Sequence, residues 1–421
     1  MCLTQNPVGC SERLHVGRII WLNHGRVLLG RPRKCVDREV SGTPTRSHER
    51  KVLLVSCPQA FAEQRRVHVA EMEIKMAITQ DPQVSVVIPA RNAAHTLARC
   101  LDAIIAQAFP SVEVVVVDDC SSDATSEIAA RYPMALVRMP CHGGPSAARN
   151  RGAQAAHGAL LFFVDADVAI APGAIAKAVA TMAARPDVGA LIGSYDADPA
   201  DTSIVSRFKN LAHHHFHQRS RSEATTFWGA CGVIRRECFT AVGGFDESRF
   251  AIEDVELGYR LIEAGVRIAL DPELQVKHLK RWTLRSMLVT DVTSRAFPWT
   301  LLWLERGRLP KDLNFSPAQR IASVVSVALA LSIPLAIVKS QAWMIVAALV
   351  AIALWLNRDL YRLLCRKGGA ELGVSGFFLQ QLYYLYSWFA LAAGLAYHLA
   401  DRRRVLPVAF SRSPSSEQPL L

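Results

Sequence analysis

Several residues of this chain have types and spacings that could do chemistry together. Asp165 and Asp167, separated by one residue, follow the apolar run from Leu160 to Val164. Two carboxylates at a strand end suit a hard divalent cation, Mn²⁺ or Mg²⁺, bridging protein oxygens and a diphosphate. Such ions take oxygen ligands and keep open positions. The same pair would also serve as a turn capping the helical run after Pro172. Arg91-Asn92, Asp118-Asp119 and Arg149-Asn150 likewise follow successive elements, and four polar clusters so placed point to one site. Glu253-Asp254 opens a later helix, where exposed N–H groups stabilise carboxylates, yet two adjacent acids exceed what a cap requires. Trp228 stands among small residues in Phe227-Trp-Gly-Ala-Cys-Gly232, which suits a sugar ring stacked on the indole. A core tryptophan at a glycine-rich bend is the alternative.

The elements that must position these residues alternate. Val84–Ile88 is a β-branched run that Pro89 ends, of the kind a buried parallel strand has. Leu97, Leu101, Ile104 and Ala108 recur at helical spacing, and Phe109-Pro110-Ser111 ends that helix. Strand Glu113–Val117, a helix over Ala124–Arg131 and a short strand Ala135–Arg138 follow, and Gly143-Gly144-Pro145 opens a helix to about His157. This alternation predicts an α/β domain, Rossmann-like, with a mostly parallel sheet, flanking helices, and ligands at the carboxyl ends of its strands. Gly143-Gly144 has no Gly-Lys-Ser/Thr after it, and Gly-x-Gly-x-x-Gly is absent, which disfavours P-loop and dinucleotide readings.

A length of 421 residues predicts two or three units. The net charge of +11 is unevenly placed: residues 1–75 hold thirteen Lys and Arg against seven Asp and Glu. The rest of the excess borders apolar runs near the C-terminus, which points to an anionic membrane surface and away from nucleic acid. Ten scattered cysteines without a Cys-x-x-Cys pair argue against a disulfide framework or zinc site and fit a reducing compartment. Residues 1–80 lack any sustained period and are expected to be a poorly ordered or mis-annotated extension, Met76 reading as a natural start.

Taken as a set, Val84-Ser-Val-Val-Ile-Pro-Ala-Arg-Asn92, Val117-Asp-Asp-Cys-Ser-Ser-Asp123, Ala148-Arg-Asn-Arg-Gly152 and Phe163-Val-Asp-Ala-Asp167 resemble glycosyltransferase family 2. Gly243-Gly-Phe-Asp-Glu247 and Glu253-Asp-Val-Glu-Leu257 match in order and spacing, so the resemblance covers about residues 84–285. It implies an inverting, nucleotide-sugar-dependent enzyme with a GT-A fold over residues 81–285. Pro89, Arg91, Asn92 and Arg149 would lie on the donor side, with Asp118 or Asp119 on the nucleotide base. Asp165 and Asp167 would serve metal and diphosphate, and Asp254, supported by Glu253, would be the base for the acceptor hydroxyl. His278-Leu-Lys-Arg281-Trp282 has the spacing of the Gln-x-x-Arg-Trp motif of family 2 polysaccharide synthases, with His in place of Gln. That departure weakens a processive reading. Here His278 could touch metal or diphosphate, and Arg281 could neutralise the leaving group. His213-His-His215 with His217 reads as a solvated helix face rather than a metal tract.

Residues 286–320 interleave tryptophans with arginines, as an interfacial helix does, a packed core helix being the alternative. Residues 321–400 hold three apolar stretches, read as about three membrane helices, before a basic tail at 401–421. The expectation is therefore a multi-pass inner-membrane glycosyltransferase with its catalytic domain on the cytoplasmic side. Its partners would be a nucleotide-sugar donor and a lipid-linked or saccharide acceptor. A processive polysaccharide synthase, a nucleotidyltransferase and a catalytically silent membrane scaffold remain as rivals.

Overall fold

The computed structural model describes residues 82–249, 251–307 and 316–402. The expected N-terminal extension and nearly all of the basic tail lie outside these residues.

β1 (Val84–Ala90) is buried along almost its whole length and takes parallel partners on both sides, Val86 standing opposite Val114 and Phe162. α1 (Leu97–Ile105) covers it with Leu97, Cys100, Leu101 and Ile104, the i, i+3, i+4, i+7 stripe of an amphipathic helix. β2 (Val112–Asp118), α2 (Thr125–Ala129), β3 (Ala135–Arg138) and α3 (Gly144–Ala155) follow, and then β4 (Leu160–Val164). The chain thus moves from β1 to β2 and β3 on one side, then returns to place β4 on the other. That reversal opens a crevice at the carboxyl ends of β1, β2 and β4, where ligands of open α/β sheets bind.

β5 (Val168–Ile170), α4 (Ala174–Ala184), β6 (Val188–Tyr195), α5 (Ile204–Arg219), β7 (Glu223–Ala224), β8 (Cys231–Arg235), α6 (Arg236–Ala241), α7 (Glu253–Glu263) and β9 (Arg267–His278) complete the domain. The nine strands run in the order β3-β2-β1-β4-β8-β6-β9-β5, with β7 on β9. The sheet is mixed rather than mostly parallel: β8 is antiparallel to both β4 and β6, and β9 is antiparallel to β5 and β7. All eight residues of β6 are buried, so it lacks the alternation that betrays an antiparallel strand. Beneath the sheet, Phe163 meets Phe245 and Phe227 edge-on at 5.1 and 6.2 Å, a geometry that the ring quadrupoles favour.

The C-terminal part begins with α8 (Leu284–Asp291), a π-helical segment (Val292–Ala296) and α9 (Phe297–Arg306). One face of these expected interfacial helices is packed, since Leu302 is fully buried with Ile252, Val255 and Tyr259. α10 (Pro317–Val338), α11 (Trp343–Leu356) and α12 (Arg358–Arg402) follow, with non-helical backbone at Gly368 and Gly369 inside α12. α12 is seated on α5, where Leu360, Leu364 and Leu372 join Phe208 and Leu211. Of the three expected spans, α10 alone is long and apolar enough to cross a bilayer. The 14 residues of α11 would rise about 21 Å, short of a hydrocarbon core of about 30 Å. α11 and α12 pass together only across a 75° bend. Leu331, Ile337, Val338 and Met344 are each more than 70% exposed.

Candidate active site

The loops after β1 and β2 are laced to each other. Asn92 and Cys120, at φ 49° and 55°, take the left-handed conformation just past the two strand ends. The Asn92 side-chain carbonyl accepts from the Ser122 amide at 2.9 Å, and the Asn92 backbone N–H donates to Ser121 Oγ at 3.0 Å. Asn92 is therefore a loop tie. Asp118 and Asp119 are both buried at the end of β2. Asp118 Oδ1 accepts from the Ser121 amide, whereas Asp119 accepts the Gly143 amide at 2.7 Å and the Gly144 amide at 3.0 Å. Arg91 donates to His142 Nε2 at 2.7 Å, and a guanidinium has no acceptor, so the imidazole proton sits on Nδ1 and is donated to Asp119. His142 carried no sequence signal; only the fold sets it beside Asp119.

Arg149 joins the two halves of the site. Buried on α3, it donates at 2.7 Å to Asp165 Oδ1 and at 2.7 Å to Glu253 Oε1. Gly229 lies against its guanidinium, where a Cβ would stand 2.9 Å from Nη2. Asn150, next in sequence, serves the fold instead and holds the Gly243-Gly-Phe-Asp turn through both its amide atoms. Asp246 is spent within that turn on the Ser248 amide and hydroxyl.

Beyond Arg149 lies Asp254, partly exposed at the start of α7. Its Oδ2 accepts from the Gly229 amide at 3.1 Å and its Oδ1 from the Val255 amide at 2.8 Å. Burial, then the neighbouring Glu253 charge, pushes the Asp254 carboxyl up to about 6 against those amides and Arg149. Burial also raises Asp165, and Arg149 only partly offsets it. At Asp167, burial is outweighed by His278 and then Lys280, which hold the carboxyl below its ordinary value.

His278 ends β9, stacked on Tyr195 at 4.7 Å, with Nε2 3.6 Å from Asp167. Trp228 does not stand free: its indole meets Tyr195 at 5.0 Å, His213 at 4.6 Å and His217 at 5.2 Å. The histidine run is accordingly not a solvated face. The i, i+4 spacing turns His213 and His217 inward, stacked at 3.9 Å, and His217 is bonded to the Gly193 carbonyl. Arg281 is largely exposed, 3.9 Å from Asp201, while Trp282 is buried with its amide on Ser206 Oγ. A cavity of about 390 Å³ connects these parts and is lined by Asp254, Trp228, His213, His278, Trp282 and the π-helical segment.

Among the described residues, no group of three or more His, Cys, Asp or Glu side chains is arranged to hold a metal by itself. Asp165 and Asp167 nonetheless fit a hard cation. Two carboxylates with an imidazole beside them leave most positions to water and phosphate oxygens, as Mg²⁺ prefers.

Residues 85–243 match the family model described as Glycosyl transferase family 2. The chain carries a glycosyl transferase family 2 domain. The chain is 38% identical over 106 residues to the succinoglycan biosynthesis protein ExoO of Rhizobium meliloti, over 24% of this chain and 30% of that protein. It is 30% identical over 220 residues to the pre-mycofactocin glycosyltransferase of Mycobacterium tuberculosis, over 49% of this chain and 44% of that one. It therefore spans less than half the length of these two relatives. Among solved structures, mannosyltransferase PcManGT from Pyrobaculum calidifontis, in complex with GDP-Man and Mn²⁺, aligns with a TM-score of 0.49 and 23% identity. That alignment covers 75% of this chain and 88% of that one.

Proposed function

We propose that this family 2 protein transfers a sugar from a nucleoside diphosphate sugar to an acceptor hydroxyl, with inversion at the anomeric carbon. One observation carries the reading: Arg149 holds Asp165 on one side and Glu253, the neighbour of Asp254, on the other. A donor-side carboxylate and the neighbour of the candidate base thus share one buried cation across the crevice. The nucleoside lies at the ends of β1 and β2, with Pro89, Arg91 and the Asp118-Asp119 pair around it. Asp254 accepts the proton of the acceptor hydroxyl, whose oxygen attacks the anomeric carbon as the bond to the diphosphate oxygen breaks on the opposite face. Glu253, committed to Arg149, positions rather than accepts. Mn²⁺ or Mg²⁺ held by Asp165 and Asp167 would neutralise charge on the departing diphosphate. The acceptor occupies the aromatic-lined cavity.

A lipid-linked acceptor is supported by the Gln380 and Tyr383 lining of that cavity, both from α12, next to the apolar helices. We read the domain as anchored through α10, with the basic residues that border the apolar helices favouring the cytoplasmic face of the inner membrane. A nucleotidyltransferase would leave Asp254 and the cavity without a task. A screen of nucleotide sugars for binding and hydrolysis by the detergent-solubilised protein, with Mn²⁺ and Mg²⁺, tests the reading. Metal-dependent hydrolysis of one donor is expected, and binding of nucleoside triphosphates with no response to any sugar nucleotide would overturn it.

A further inference from the structure

The cavity has a cationic wall that the transfer chemistry does not use. Lys209 of α5 and Arg295 of the π-helical segment both line it. Both lean on a single carboxylate, Asp291: the Lys209 ammonium at 2.7 Å and Arg295 Nη1 at 3.4 Å. Tyr386 of α12 also donates to Asp291. Lys280 adds a third cation 4.4 Å above the Trp282 ring, which Lys209 and Arg295 also approach, at 5.5 and 5.9 Å. One carboxylate shared by two cations leaves an excess of positive charge around Asp291, on a lining that also carries Asp254 and the Arg149-paired Glu253. Burial, then the charge of Arg295, pushes the Lys209 ammonium down to about 8 against the pull of Asp291, so it stays charged at neutral pH and would gain from an incoming anion. Arg295 is half-exposed, and its one bond to Asp291 leaves most of its five N–H donors available. The wide π turn that carries Ser294 and Arg295 into the cavity lining is a rare device that recurs at functional sites. His213 Nδ1, on the same lining, is buried without a hydrogen-bond partner among the described residues.

From this arrangement we infer that Lys209 and Arg295 form a subsite for a phosphate ester carried by the acceptor. A Lys and an Arg side by side match a group with three acceptor oxygens, and charge-assisted bonds of this kind are the strong ones. The inference rests on the acceptor reading of the cavity and adds the chemical class of the acceptor's second group. The ester can be borne by a lipid, presented from the α12 side, or by a soluble acceptor.

The test uses the full chain in a non-ionic detergent and compares dodecyl phosphate, dodecyl glucoside and inorganic phosphate by titration calorimetry. Dodecyl phosphate should bind about tenfold more tightly than dodecyl glucoside, the value of one net charge-assisted hydrogen bond. Arg295→Gln and Lys209→Met should each remove that preference and leave glucoside binding unchanged, with melting curves confirming the fold. Arg295, half-exposed, keeps the test decisive if Lys209→Met does not fold. Inorganic phosphate binding as tightly as dodecyl phosphate would support the subsite and assign it a soluble acceptor. Equal binding of dodecyl phosphate and dodecyl glucoside by the unmodified protein would overturn it. Nucleotide titration in the same samples reports separately on the donor side, so loss of nucleotide binding with the phosphate preference intact would count against the transferase reading alone.

Discussion

Arg149 Nη1 donates to Glu253 Oε1 at 2.7 Å, and this bond decides which of two adjacent acids is free to act. Glu253 is buried with its carboxylate committed to a cation, while Asp254 is partly exposed on the cavity and held only by two backbone amides. Removing the cation should be costly. Arg149→Met would leave the Asp165 and Glu253 carboxylates without their partner, and a loss of about 3 kcal/mol or more is expected, as when one side of a buried pair is deleted. Thermal melts at pH 7 and at pH 4 check this. The defect should shrink at low pH, because burial raises the Asp165 carboxyl and favours its neutral form there.

The pH profile follows from Asp254. Its folded value of about 6 lies above the ordinary 3.8, so below pH 6 the carboxyl is protonated and cannot accept the hydroxyl proton. kcat/KM should therefore fall on the acid side with a midpoint near 6, about tenfold per unit below it. The stability side has the opposite sign. A folded value raised above the unfolded one gives stabilisation at low pH that is lost as pH rises through about 6. A profile flat from pH 4 to 8 would contradict the assignment.

Close packing of Gly229 on the guanidinium gives a third expectation. An added Cβ would sit 2.9 Å from Arg149 Nη2, and that group is pinned by two ion pairs. Gly229→Ala should displace Arg149 and lower kcat on the order of 10²-fold, the scale of an ångström-level misplacement. Nucleotide affinity should change little. Unchanged turnover would mean the bridge is structural only.

On the donor side, Asp167→Ala or an excess of chelator should abolish transfer and metal-dependent nucleotide binding, with the melting curve retained. Full activity in either would remove the cation from the account.

Much of this was readable from residue types alone, for identifiable reasons. β1, β2 and β3 are short apolar runs between polar loops, and Asp165 and Asp167 stand where the apolar run of β4 stops. Glu253-Asp254 marks a helix start by its own chemistry. The antiparallel entry of β8 was hidden, because strands buried on both faces read alike whichever way they run. The inward turn of His213 and His217 depends on the placement of α5 over β6, which local polarity does not encode. Lys209 and Asp291 are 82 residues apart, as distant for sequence reasoning as Arg91 and His142. Gly368 and Gly369 take non-helical backbone inside α12, and Leu372 beyond them packs with Phe208 and Leu211 of α5 just as Leu360 and Leu364 before them do, a contact that local sequence does not encode.

The most direct measurement is the turnover of Asp254→Asn with its donor affinity measured alongside. Asn keeps the shape, and its single carbonyl oxygen can accept from one of the Gly229 and Val255 amides, so a melting curve measured alongside separates folding from chemistry. The account predicts a fall in kcat of about 10²–10⁴ with nucleotide-sugar affinity nearly intact, the typical loss of a general base. Glu253→Gln should cost less. An Asp254→Asn protein that turns over at the unmodified rate, or whose main defect is weak donor binding, would contradict it.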